Sequence, residues 1–186
     1  MLTLTLLVAA GLQSGLTCPV MGGPANFKAG TTYYNGAQYA FCCAGCDTTF
    51  AKAPTSTLEK ATKEKRVSGL FLFDPVTKTK IAPDKAVAHS DYAGIRFSFA
   101  SAENKANFDK NPKAFATLPK KEALYCPVMG ESIANYTKAS GYADFEGVRY
   151  YFCCAGCDQT FAKEPSKYVA NVKAKIRVPV AEKVAQ

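Results

Sequence analysis

Eight cysteines in a chain of 186 residues are the side chains most able to do chemistry here, and they fall into two matching sets. Cys18-Pro19-Val20-Met21-Gly22 opens the first, which closes on Phe41-Cys42-Cys43-Ala44-Gly45-Cys46-Asp47. Cys126-Pro127-Val128-Met129-Gly130 opens the second, which closes on Phe152-Cys153-Cys154-Ala155-Gly156-Cys157-Asp158. Thiolates bind soft metals, attack disulfides or pair into bridges, and each chemistry is open to four sulfurs per set. As metal ligands, Cys18, Cys42, Cys43 and Cys46 would serve one site, and Cys126, Cys153, Cys154 and Cys157 another. Met21 and Met129, two of only three methionines, each follow a candidate ligand by three residues and are further candidate donors. Packing beside the Pro-Val corner is the other reading of both. Thiolate with thioether favours Cu(I), whereas four thiolates alone suit Zn(II). Adjacent cysteines seldom ligate one ion together, so Cys43 and Cys154 are the weakest members of their sets. As disulfides, four cysteines allow three pairings. As a redox centre, Cys43-Ala44-Gly45-Cys46 is a Cys-x-x-Cys, but Cys18 and Cys42 would be surplus and no βαβ pattern accompanies it.

Other chemistries are poorly supplied. His89 is the only histidine, so a catalytic His dyad or a multi-His metal site is hard to build. No Gly-rich phosphate loop, Ser nucleophile motif or carboxylate pair stands out, and no enzyme is expected. The net charge is 23 − 15 = +8, but the lysines are spread through helices, linkers and tail. They read as a solvated surface, with an attraction to anionic lipid headgroups or an acidic partner, and nucleic acid is not expected. Twelve Phe, ten Tyr and 48% hydrophobic residues describe an ordered chain.

The elements that must position the sulfurs recur three times. Gly36, Gly94 and Gly147 each precede an aromatic by three residues (Tyr39, Phe97, Tyr150) and a Phe by five (Phe41, Phe99, Phe152). Phe50, Phe108 and Phe161 follow at fourteen residues, and Pro54, Pro112 and Pro165 at eighteen. Strand-favouring residues flank each Gly-centred turn, and a short helix follows that must stop before the Pro. Ser101 is a good N-cap for the middle helix, with Glu103 in its first turn. If Cys43 takes the place of Ser101, then Cys42, Cys43 and Cys46 surround a helix N-terminus, where thiolate is stabilised. The Phe and Tyr positions read as core.

The middle copy begins Asp74-Pro75-Val76 and contains no cysteine. Asp74, Thr77, Ala100, Ser101 and Asn104 stand in the sulfur positions, so all five change together while the hydrophobic frame stays. Units of this size usually need a metal, disulfides or a partner, and the middle copy is expected to lean on its neighbours.

The pattern Cys-Pro-Val-Met-Gly, then Tyr-x-Gly-x-x-Tyr-x-Phe-Cys-Cys-Ala-Gly-Cys-Asp-x-x-Phe, then Pro, resembles the YHS domain and the related TRASH domain. That resemblance implies small modules that bind copper and other heavy metals. TRASH-type domains carry one Cys and, further on, a Cys-x-x-x-Cys; Cys18, Cys42 and Cys46 match those places, as do Cys126, Cys153 and Cys157. Many YHS domains open Asp-Pro-Val-Cys-Gly, whereas Met21 and Met129 stand in that Cys slot here. The Tyr-His-Ser signature survives only as Ala88-His89-Ser90.

The expected fold is α+β, with three tandem ββα repeats (a β-hairpin plus a short helix, treble-clef or zinc-finger-like). Residues 1–17 form an apolar leader, 18–58 repeat one, 59–71 a charged linker and 72–118 the cysteine-free repeat. Residues 119–125 form a second linker, 126–171 repeat three and 172–186 a basic tail that is either loose or an added strand. The uncharged run Leu2–Ala10 suits a signal-peptide core, with Ala9, Ala10 and Gly11 near a cleavage site; a buried strand or helix is the alternative. The expectation is therefore a secreted or periplasmic protein holding one copper or zinc ion per Cys-containing repeat. Its partners would be metal ions and a metal transporter or metalloenzyme.

Overall fold

The computed structural model describes residues 12–183. Three tight hairpins anchor it: β1 (Asn26–Tyr34) with β2 (Ala37–Phe41), β4 (Ala88–Tyr92) with β5 (Ile95–Phe99), and β7 (Gly141–Phe145) with β8 (Val148–Phe152). Each turns through two residues, both with positive φ: Asn35 and Gly36 at 54° and 78°, Ala93 and Gly94 at 49° and 79°, Glu146 and Gly147 at 50° and 76°. This is the type I′ turn, whose twist matches that of the flanking strands. Glycine at the second position fixes the register of all three hairpins.

After each hairpin comes a pair of short helices. They are α1 (Cys46–Lys52) and α2 (Pro54–Lys63), α3 (Ala102–Lys110) and α4 (Pro112–Phe115), and α5 (Cys157–Lys163) and α6 (Pro165–Val169). The proline that stops one helix opens the next. Ala53, Asn111 and Glu164, each just before it, are forced out of helical geometry at φ −149°, −151° and −143°. The proline then supplies the first helical position, where its missing N–H costs nothing.

Phe50, Phe108 and Phe161 are buried and close the core of each segment. Their rings lie 4.9 Å from Tyr39, 5.1 Å from Phe97 and 5.6 Å from Tyr150, and at 5.2–5.7 Å from Phe41, Phe99 and Phe152. The helix is thus pinned to the second strand, which fixes where that helix begins.

The chain divides into two compact units. With β3 (Gly69–Phe71) and β9 (Glu182–Lys183), the first holds a six-stranded sheet of order β4-β5-β3-β2-β1-β9, in which β3 runs antiparallel to β2 and parallel to β5. The middle hairpin therefore shares a sheet with the first. Gly69 permits this pairing: a Cβ there would stand 2.8 Å from the Tyr39 ring. β9 adds an edge strand to β1. Leu12 and Leu16 pack on Leu70, and Arg96, which grips Asp91 through two nitrogens, also donates to the carbonyls of Leu12 and Ser14. The remainder of the apolar leader, residues 1–11, lies outside the described residues.

The second unit holds a three-stranded sheet of order β6-β8-β7, with β6 (Lys121–Ala123) parallel to β8. Arg149 is buried between Asp144, which it grips at 2.7 and 2.9 Å, and the face of Tyr142 at 4.0 Å. Buried Glu122 accepts from Tyr136 at 2.8 Å and pairs with Arg177 at 3.2 Å.

Two stretches expected as linkers are structured instead. Residues 59–71 contain the end of α2 and strand β3, and residues 119–125 contain β6. Most of their charged side chains remain at the surface, Glu122 being the buried exception, while short backbone stretches complete the sheets. Among the described residues no helix is long and apolar enough to cross a membrane. Replacing Phe161 with Ala should destabilise the second unit by about 3–5 kcal/mol, read by urea unfolding. A loss below about 1 kcal/mol would contradict its place as the core keystone.

Candidate metal centres

The opening pentapeptide folds into a tight turn. Gly22 N–H donates to the Cys18 carbonyl at 2.9 Å, Cys18 N–H to the Gly23 carbonyl at 2.8 Å, and Met21 N–H to Cys18 Sγ at 3.5 Å. In the second set, Gly130 N–H donates to the Cys126 carbonyl and Cys126 N–H to the Glu131 carbonyl, both at 2.8 Å. Gly22 and Gly130 close these turns at φ 78° and 71°. Cys42 and Cys153 follow directly on the last residue of β2 and β8, and Cys46 and Cys157 begin α1 and α5.

The fold thereby gathers Cys18, Cys42 and Cys46, with every pair of Sγ atoms within 4.8 Å. Cys126, Cys153 and Cys157 form the same group in the second unit. A metal bound by thiolates at about 2.3 Å in a trigonal plane holds its sulfurs about 4.0 Å apart, so the donors need only a small contraction. Two cysteines of each group are buried and the middle one is partly exposed, leaving one open side. None of the eight cysteines is joined in a disulfide.

The remaining candidates lie outside these groups. Cys43 and Cys154 are exposed, with Sγ atoms 2.8 Å from Cys46 and 3.0 Å from Cys157. The Met21 and Met129 side chains are 69% and 56% exposed, so neither packs in the core. Their backbone serves the site, as the Met21 N–H contact shows. His89 is exposed on β4, remote in sequence from either group.

The helix N-terminus does not act as expected. Cys43 is not the cap; Gly45 is, in left-handed geometry at φ 84°, and the helix starts at Cys46. The thiol held below its ordinary pKa is instead that of Cys18. Burial pushes it up, but the N–H groups of Met21, Cys42 and Val20 and the Cys42 thiol outweigh that. Cys126 is lowered likewise, with the N–H groups of Cys153, Met129 and Val128 and the Cys153 thiol opposing its burial. Burial and the neighbouring sulfurs raise Cys42, Cys46 and Cys157, and push Cys153 up to about 12. Each group therefore holds one sulfur that ionises more readily than an ordinary thiol and two that ionise less readily.

The middle hairpin shows the same cradle without sulfur. Buried Asp74 stands in the place of Cys18. Its Oδ1 accepts from the N–H groups of Val76 at 2.9 Å and Thr77 at 3.5 Å. Its Oδ2 accepts from Ala100 N–H at 2.9 Å and from the Asn104 amide at 2.8 Å. Ala100 and Asn104 occupy the positions of Cys42 and Cys46. This segment thus has an internal staple, a buried carboxylate satisfied by hydrogen bonds, in addition to the strand it shares.

Two flanking residues carried no sequence signal. Arg66 donates to the Cys18 and Pro19 carbonyls at 2.7 and 3.3 Å, and the Asn171 amide donates to the Pro127 carbonyl at 3.1 Å. Both lie in charged stretches and are far from the cysteines along the chain. Asp47 pairs with Lys183, whose ammonium holds its carboxyl below the usual range.

Fold and site together define a chain of hairpin–helix segments, two of which bear a three-cysteine group able to hold a metal ion. Residues 72–118, the cysteine-free middle segment, match the family model of the YHS domain. No curated protein and no solved structure matches the chain.

Because a metal needs all three sulfurs as thiolates and two of each group are held above the ordinary thiol range, each ion should displace at least two protons near neutral pH. Affinity should then fall at least about 100-fold for each pH unit of acidification, measured by competition with a chromophoric chelator. An affinity independent of pH would contradict binding through the two raised thiols of each group.

Proposed function

We propose that the protein binds soft metal ions, Cu(I) in preference to Zn(II), in one three-cysteine site per Cys-containing segment. The observation that carries this reading is the convergence of Cys18, Cys42 and Cys46, and of Cys126, Cys153 and Cys157, from separate elements onto one point each. Three thiolates satisfy Cu(I) in a trigonal plane, while Zn(II) takes a fourth donor. The YHS-domain match between the two sites supports a role concerned with heavy metals.

Its work is binding, buffering or delivery rather than catalysis, with a metal transporter or metalloenzyme as the receiving partner. The partly exposed Cys42 and Cys153 give an incoming or departing ion access to each site. The apolar run Leu2–Ala10 supports export to the periplasm or beyond the cell, and the net charge of +8 supports contact with an anionic membrane surface.

Native mass spectrometry of the anaerobically reduced chain, offered equal Cu(I) and Zn(II), tests the reading. Two copper ions per chain are expected, with one lost in Cys18→Ser and the other in Cys126→Ser. Absence of bound metal, with the eight thiols oxidising to four bridges, would overturn it.

A further inference from the structure

The metal groups leave one cysteine of each set unused, and its placement is the same both times. Cys43 Sγ lies 2.8 Å from Cys46 Sγ but 3.8 Å from Cys42 Sγ. Cys154 Sγ lies 3.0 Å from Cys157 Sγ and 3.7 Å from Cys153 Sγ. In each pair one thiol is exposed and the other is a buried member of the metal group. The left-handed glycines Gly45 and Gly156 fold the chain back so that residues three apart meet sulfur to sulfur. A disulfide needs its sulfurs about 2.05 Å apart, so closing either pair moves them by about 1 Å or less.

We propose that each pair is a redox latch on its own metal site: oxidation takes Cys46 or Cys157 away from the ion and releases it, and reduction restores the site. The inference rests on the metal-binding reading above. The oxidant is a disulfide, RSSR. The exposed Cys43 thiolate attacks one of its sulfurs, forming a mixed disulfide and expelling one RS⁻. Cys46 then attacks the Cys43 sulfur, closes the bridge and expels the second RS⁻. The two sulfurs give up two electrons to RSSR; the Cys43 thiol supplies one proton, Cys46 carries none while it binds the ion, and the two RS⁻ leave as thiols with the second proton taken from water. The ion is left with Cys18 and Cys42 alone. A latch needs its attacking thiol free while the ion is bound, which the exposed position of Cys43 and Cys154 outside the three-sulfur groups provides.

The test uses the full reduced chain, loaded anaerobically with Cu(I) and, in parallel, with Zn(II), which has no redox chemistry of its own. Each is treated with glutathione disulfide; bound ions are counted by native mass spectrometry, and bridges are located by peptide mapping. Bridges Cys43–Cys46 and Cys154–Cys157 are expected, with retention of the ion weakened at least about 100-fold and restored on reduction. The double variant Cys43→Ser, Cys154→Ser should keep its ions through the same treatment, and its metal content reports that it has folded. A wild-type chain that keeps its ions, or loses them no faster than the double variant, would overturn the latch and leave the binding reading standing. A reduced chain that takes up neither ion would overturn the binding reading itself, and the latch with it.

Discussion

A buried acceptor, cradled by backbone N–H groups where an opening turn meets the end of a hairpin, is the interaction on which each segment depends. In the middle segment the acceptor is the side chain of Asp74, held by Val76, Thr77, Ala100 and Asn104. In the flanking segments it is the sulfur of Cys18 or Cys126, held by the corresponding amides, which ease its ionisation. Burying a polar group is costly unless it is satisfied locally, and the turn exists in the form it does because it supplies those donors. The hairpin register and the keystone Phe follow from the need to bring both halves of the cradle together.

The two solutions differ in what completes them. Asp74 is satisfied by protein alone, because the Asn104 amide reaches it and leaves no open valence. Cys18 and Cys126 face two further sulfurs instead, and those thiols resist ionisation because burial and the neighbouring sulfurs both oppose it. A soft cation removes that conflict by neutralising all three at once. The surroundings then separate the two sites. A guanidinium braces the turn of the first, and a neutral amide braces that of the second.

Much of this was legible in the sequence. The glycines at 36, 94 and 147 marked the turns because only a left-handed position demands them there, and the spaced Phe residues marked the core because they recur where charge and polarity vary. The cysteine-free copy separated sulfur positions from packing positions and pointed to Asp74 before its contacts were known. Other features were not legible. β3 and β6 are three-residue strands in charged stretches, set by a neighbouring strand rather than by local pattern. Pro54 and its counterparts read as stops, although proline suits the first position of a helix equally well. The division of labour between Cys42 and Cys43 turned on the left-handed Gly45, which delays the helix and moves Cys43 out of the group. Arg66 and Asn171 act through contacts distant in the chain, for which sequence offers no cue.

The central claim is that three sulfurs from three separate elements bind one ion. X-ray absorption at the copper edge of the Cu(I)-loaded chain tests it most directly. The account predicts a first shell of three sulfur atoms at about 2.3 Å and no nitrogen or oxygen neighbour. A shell dominated by nitrogen or oxygen would contradict it.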